Sequence, residues 1–72
     1  MKYRKDRYKY YNIISDNECW QLNVNTGGIK RITNFRQIQS IDQFEISDKE
    51  AYESAYIRCL KINRTYFKEA IN

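Results

Sequence analysis

The stretch Cys19-Trp20-Gln21-Leu22-Asn23-Val24-Asn25-Thr26-Gly27-Gly28-Ile29-Lys30-Arg31-Ile32 decides how this chain folds. Trp20, Leu22 and Val24 alternate with Gln21, Asn23 and Asn25, which gives an extended strand one apolar face. Asn25-Thr26-Gly27-Gly28 then supplies the positive φ that a tight hairpin needs. The strand that returns, from Ile29 to about Phe35, has mixed parity: Ile32 falls on one face, Ile29 and Phe35 on the other. Either a bulge or burial of both faces would reconcile them.

Outward toward the N-terminus, residues 7–15 are rich in Tyr and Ile, which favour a pleated surface. Ser15-Asp16-Asn17 offers three side chains that can bond nearby backbone, so a turn is expected there. Outward toward the C-terminus, residues 36–43 are open to strand, turn or short helix, because Phe35, Ile38 and Ile41 are spaced by three. Phe44 and Ile46 alternate with Gln43 and Glu45, as in a short fourth strand. Ser47 with Glu50 matches a capping box, and Ile46 with Ala51 a hydrophobic staple. Beyond it Tyr52, Ala55, Tyr56, Cys59, Leu60, Tyr66, Phe67, Ala70 and Ile71 keep helical spacing with no Gly or Pro between them. The spacing predicts a helix over 48–70. The fold expected is a small two-layer α+β domain: a three- or four-stranded antiparallel meander followed by one long C-terminal helix packed on one face. Residues 1–72 form a single domain, with 1–6 read as a flexible basic arm, 7–46 as sheet and 48–70 as helix.

Composition removes whole classes of chemistry. The 72 residues include no His, the commonest general base and zinc ligand. Cys19 and Cys59 are 40 positions apart with no CxxC, so neither a zinc finger nor a thioredoxin-like site can be built. There is no Pro, and the two glycines are adjacent, which excludes a phosphate-binding Gly-rich loop. The nine acidic residues have no metal-loop spacing. A membrane span needs roughly 20 apolar residues, and the chain holds no such run. Neither does it carry a secretory pattern, so a cytoplasmic protein with reduced thiols is expected. No cofactor is expected, and a non-enzymatic role is.

Lys, Asn, Ile and Tyr make up 31 of 72 residues, a bias toward AT-rich codons. Short strands closed by Phe44-Glu45-Ile46-Ser47 and a Tyr-rich helix resemble the layout of small phage-like or mobile-element proteins. The likeness is one of pattern and assigns no residue a role.

Charge is uneven. Of the formal net +4, residues 1–9 account for all: Lys2, Arg4, Lys5, Arg7 and Lys9 stand against Asp6. Arg58, Lys61, Arg64 and Lys68 line the helix face opposite the apolar stripe. These nine cations are the candidate polyanion-binding residues, with Tyr3 and Tyr8 for stacking. The acidic start of the helix and its basic remainder also suit the helix macrodipole with no ligand at all.

Seven Tyr and one Trp are many for this length. Tyr52, Tyr56, Tyr66, Tyr8, Tyr10 and Trp20 are assigned to the sheet–helix core. A single helix covers one sheet face, which would leave Tyr11, Ile13, Cys19 and Gln21, with Arg31, on an open face. An exposed apolar cluster of that kind marks a partner surface. On this reading Cys19 is accessible and Cys59 is core. Two functions follow. The first is a protein-binding module, an accessory, inhibitor or assembly protein, with self-association as one form of it. The alternative is nucleic-acid binding through the basic-aromatic arm and the basic helix face.

Overall fold

The computed structural model describes residues 1–71, with side chains through Arg64. Five strands and two helices follow in the order β1 (Lys2–Asp6), β2 (Lys9–Ser15), β3 (Glu18–Asn23), β4 (Gly28–Ile32), α1 (Phe35–Ile41), β5 (Glu45–Ile46) and α2 (Lys49–Ile71). The strands form one antiparallel sheet in the order β4-β3-β2-β1-β5. The α+β class, the antiparallel meander and the long C-terminal helix on one sheet face are present, but the sheet has five strands rather than three or four, because β1 and β5 add at one edge, and α1 interrupts the 7–46 segment expected as sheet.

The hairpin at the centre of the sequence is built as its residues dictate. Gly27 has φ +78°, and Asn23 closes the turn by accepting the Asn25 and Thr26 N–H groups on Oδ1. A Cβ at Gly27 would lie 2.8 Å from Ile62 Cγ2, so α2 passes directly over this turn. At the other end of its sheet contact, Tyr52 meets Tyr3 of β1 in a tilted ring contact with centroids 5.6 Å apart. The helix therefore crosses the strands obliquely, from β1 to the β3–β4 turn. Under it Leu22, Val24, Ala55 and Cys59 form one core cluster, with Tyr10 and Tyr52 at its margin.

The opposite face is also covered. Residues 36–41 resolve as helix and 42–43 as turn: α1 is capped by Asn34, whose side chain accepts the Gln37 N–H, and its Ile38 and Ile41 are buried. They pack on Tyr11, Ile13, Cys19 and Ile32, with Phe44 beside them. Ile32 faces the α1 core, while Ile29 lies on the other face and is 37% exposed, so the mixed parity needs neither a bulge in β4 nor burial of both its faces. A register shift occurs instead in β2, between Ile13 and Ser15.

Three local expectations are corrected. Residues 2–6 are not a flexible arm but β1, paired with β2 on one side and β5 on the other. Its charges fit inside the sheet because Asp42 and Glu45 meet them. The N-cap of α2 is Asp48, whose Oδ1 accepts the Ala51 N–H at 2.8 Å, not Ser47. Ser47 instead donates its N–H to Tyr3 O, extending the β1–β5 pairing. Ile46 is 78% exposed and makes no staple.

Candidate binding groove

The surface expected to be open is core. Tyr11, Ile13 and Cys19 share a face as the alternation required, but they are 4%, 7% and 0% exposed because α1 lies on them. Burial raises the Tyr11 phenol and pushes the Cys19 thiol up to about 11. Gln21 is half-buried. Arg31 pairs with Trp20 and so belongs to the other face. Because strand neighbours alternate faces, no partner can meet Tyr11 and Arg31 together.

The basic residues are dispersed. Lys2 and Arg4 both bind Asp42, and Lys5 lies 3.5 Å from Glu45. Arg7 sits at the β1–β2 turn with φ 58°, an unusual conformation for a residue with a Cβ. Lys9 lies over the Tyr8 ring. Arg58, Lys61 and Arg64 are exposed on α2, while the Lys68 side chain lies outside the described residues.

What the structure does bring together is a corner of the α2 face. An oblique helix cannot cover a whole sheet face, and the part of β2, β3 and β4 farthest from the helix path is left open. Ile14, Trp20 and Ile29 from the strands meet Tyr52 and Tyr56 from α2 around a groove of about 340 Å³, with Asn12 also lining it. Ile14, Ile29 and Tyr56 are exposed. The register shift after Ile13 makes Ile14 the extra residue of β2, and such bulges re-aim side chains.

Two of the three aromatics in the groove are held. The Trp20 indole donates to Glu18 Oε2 at 3.3 Å, and the same oxygen takes the Arg31 Nε at 3.4 Å. Tyr52 is fixed against Tyr3, and burial pushes its phenol up to about 12, so it stays a neutral hydrogen-bonding group. The buried Asn12 Oδ1 has no hydrogen-bond partner among the described residues. A groove of similar volume between β1 and β5 is lined by Lys5, Asp6, Arg7, Phe44 and Glu45. Its walls are mainly charged, with Lys5 and Glu45 paired across it.

Sequence reasoning placed Trp20, Tyr52 and Tyr56 on this face correctly but assigned them to core. It missed Ile14 and Ile29 as groove residues. No pattern in the sequence reports the angle at which a helix crosses a sheet, and that angle exposes them. Among the described residues no cluster of three or more His, Cys, Asp or Glu could hold a metal ion, and no helix is long and apolar enough to cross a membrane. Comparison with protein-family models, curated proteins and solved structures finds no match.

Proposed function

We propose that this chain is a small non-enzymatic protein-binding module whose contact surface is the groove at the open corner of the α2 face. The observation that carries the reading is the convergence of Trp20 and Tyr56, with exposed Ile14 and Ile29, in one concave patch. Trp and Tyr dominate interface hot spots because each presents a large, rigid contact area with a polar tip. Trp20 and Tyr52 are already immobilised by Glu18 and Tyr3, so little side-chain entropy is lost on docking. An accessory, inhibitor or assembly role fits such a patch.

Nucleic-acid binding is the weaker reading. Lys2, Arg4 and Lys5 of the N-terminal basic cluster are already engaged by carboxylates. A polyanion would have to displace those bonds or bind through the scattered remainder.

The test is affinity capture with nuclease treatment. Capture should survive nuclease and be lost in Trp20→Ala and Tyr56→Ala, while Glu50→Ala on the outer side of α2 leaves it intact. Each hot-spot aromatic should contribute about 2 kcal/mol or more. Nuclease-sensitive capture that ignores both aromatic substitutions would sink the proposal.

A further inference from the structure

The groove ends at an unpaired strand. β4 is the outermost strand of the sheet, next to β3 alone. Its outward hydrogen-bonding groups can be identified. The Val24 N–H bonds Tyr8 O, which makes Tyr8 and Val24 a directly opposed, hydrogen-bonded pair in the β2–β3 register. Bonded pairs alternate in antiparallel ladders, so Leu22 and Trp20 bond toward β2, while Asn23, Gln21 and Cys19 bond toward β4. Their partners Gly28, Lys30 and Ile32 face inward. Ile29 and Arg31 therefore aim both N–H and C=O away from the sheet, and no described residue bonds them. At the other edge β5 is only two residues long.

We propose that β4 accepts an extended segment of another protein as a sixth strand, and that this segment alternates apolar and acidic residues. This rests on the reading of the open corner as a protein-binding surface and names the chemistry of the partner. Residues opposite Ile29 and Arg31 would project onto the groove face, where Ile29 and Trp20 offer apolar contact. The residue between them would project onto the other face, opposite Lys30, which is exposed. On the groove face Arg31 is paired with Glu18, but on the other face Lys30 is exposed and residues 28–41 hold no acidic residue, so the edge favours negative charge opposite Lys30. Strand addition uses main-chain bonds for affinity and alternate side chains for specificity.

A second copy of the chain fits poorly. In an antiparallel β4–β4 pair, the register centred on Lys30 sets Lys30 opposite Lys30, and that centred on Arg31 sets Arg31 opposite Arg31. Like charges directly opposite are destabilising. The register centred on Ile29 runs into Gly27, whose φ of +78° ends the strand.

The test uses the whole protein and two capped seven-residue peptides, one alternating Val and Glu, the other Val and Lys. Amide exchange is followed by NMR, and the oligomeric state of the protein alone by sedimentation. The chain should sediment as a monomer. The Val/Glu peptide should slow exchange at Ile29 and Arg31 and leave Lys30, already bonded to β3, unchanged; the Val/Lys peptide should slow none of the three. Arg31→Pro should keep the native amide spectrum, because its N–H serves no internal bond, and should abolish peptide binding. Should that variant not fold, Lys30→Glu keeps the backbone intact and should weaken binding about fivefold or more, as an attractive cross-strand pair becomes a repulsive one. No slowing at Ile29 and Arg31 at any peptide concentration overturns the proposal, as does a dimer that Arg31→Pro dissociates. In the first case, capture still lost in Trp20→Ala would leave the groove reading standing without strand addition; capture unaffected by Trp20→Ala would remove both.

Discussion

Arg4 holds Asp42 twice over: its Nη2 donates to the Asp42 carboxylate at 3.0 Å and its Nε to the Asp42 backbone carbonyl at 3.1 Å. Asp42 is the C-cap of α1, so one side chain of β1 ties down the negative end of the helix that covers Tyr11 and Cys19. The Arg4 side chain is 15% exposed, against 58% for Lys2, which binds the same carboxylate.

That asymmetry gives the first prediction. Arg4→Met should lower the melting temperature clearly more than Lys2→Met, since surface pairs contribute little. The hydrogen bond from Lys2, then the charges of Lys2 and Arg4, hold the Asp42 carboxyl below its ordinary 3.8. A depressed carboxylate adds stability above its unfolded value and loses it as pH falls through the folded one. The gap between wild type and Arg4→Met should therefore be full near neutrality and shrink below about pH 4. A gap independent of pH would show that Arg4 acts by packing alone.

Thiol accessibility checks the covered face. Cys19 and Cys59 are both fully buried, and burial raises both thiols. Neither should react with a water-soluble disulfide reagent in the native protein at neutral pH. Ile38→Asp, which places a charge in the α1 contact, should expose Cys19 to the reagent before Cys59. Rapid labelling of Cys19 in the unaltered protein would mean that α1 does not stay on the sheet.

Leu22 and Ile46 form a contrasting pair. Leu22 is completely buried beneath α2, whereas Ile46 is 78% exposed. Leu22→Ala should cost about 2–5 kcal/mol in urea unfolding, the range for a buried Leu whose cavity cannot collapse. Ile46→Ala should stay within about 0.5 kcal/mol of wild type, like other surface substitutions. Comparable losses at both positions would contradict the packing of α2.

Gly27 separates backbone strain from steric contact. Gly27→Ala meets both a left-handed φ and Ile62 Cγ2 at 2.8 Å. The first effect costs about 1–2 kcal/mol and the second about 1–3 kcal/mol. Ile62→Ala removes the Cγ2 contact but leaves Cβ at 2.9 Å and Asn63 Oδ1 at 3.1 Å, so in that background the second effect should shrink while the first remains in full. A double-mutant cycle reads the difference, and strict additivity would show that α2 does not pass over this turn.

High pH should unfold the chain through its buried phenol and thiol. Burial shifts Tyr52 from 10.0 to about 12 and Cys19 from 9.0 to about 11. Both raised values mean that the fold binds these protons more tightly. Their contribution is complete below the ordinary values and lost as pH climbs through the shifted ones. Melting temperature should fall between about pH 9 and 12, and Tyr52→Phe should flatten the upper part of that fall.

The sequence by itself determined the local elements. Asn25-Thr26-Gly27-Gly28 can make little but a tight turn, Trp20-Gln21-Leu22-Asn23-Val24 alternates as a strand must, and the uninterrupted apolar spacing after Asp48 is helical. These follow from backbone sterics and side-chain periodicity within a few residues, which any reader of the chain can inspect. Only the tertiary structure decided the rest. Lys2 to Asp6 become a strand because Asp42 and Glu45, some 40 positions away, neutralise them. Tyr11 and Cys19 are core because Ile38 and Ile41, spaced as ambiguously for strand as for helix, close over them. Trp20 and Ile29 line a groove because α2 crosses the sheet at an angle set by the Tyr3–Tyr52 and Gly27–Ile62 contacts. Each of these depends on which distant residues meet, and a periodicity of 2 or 3.6 residues carries no information about that.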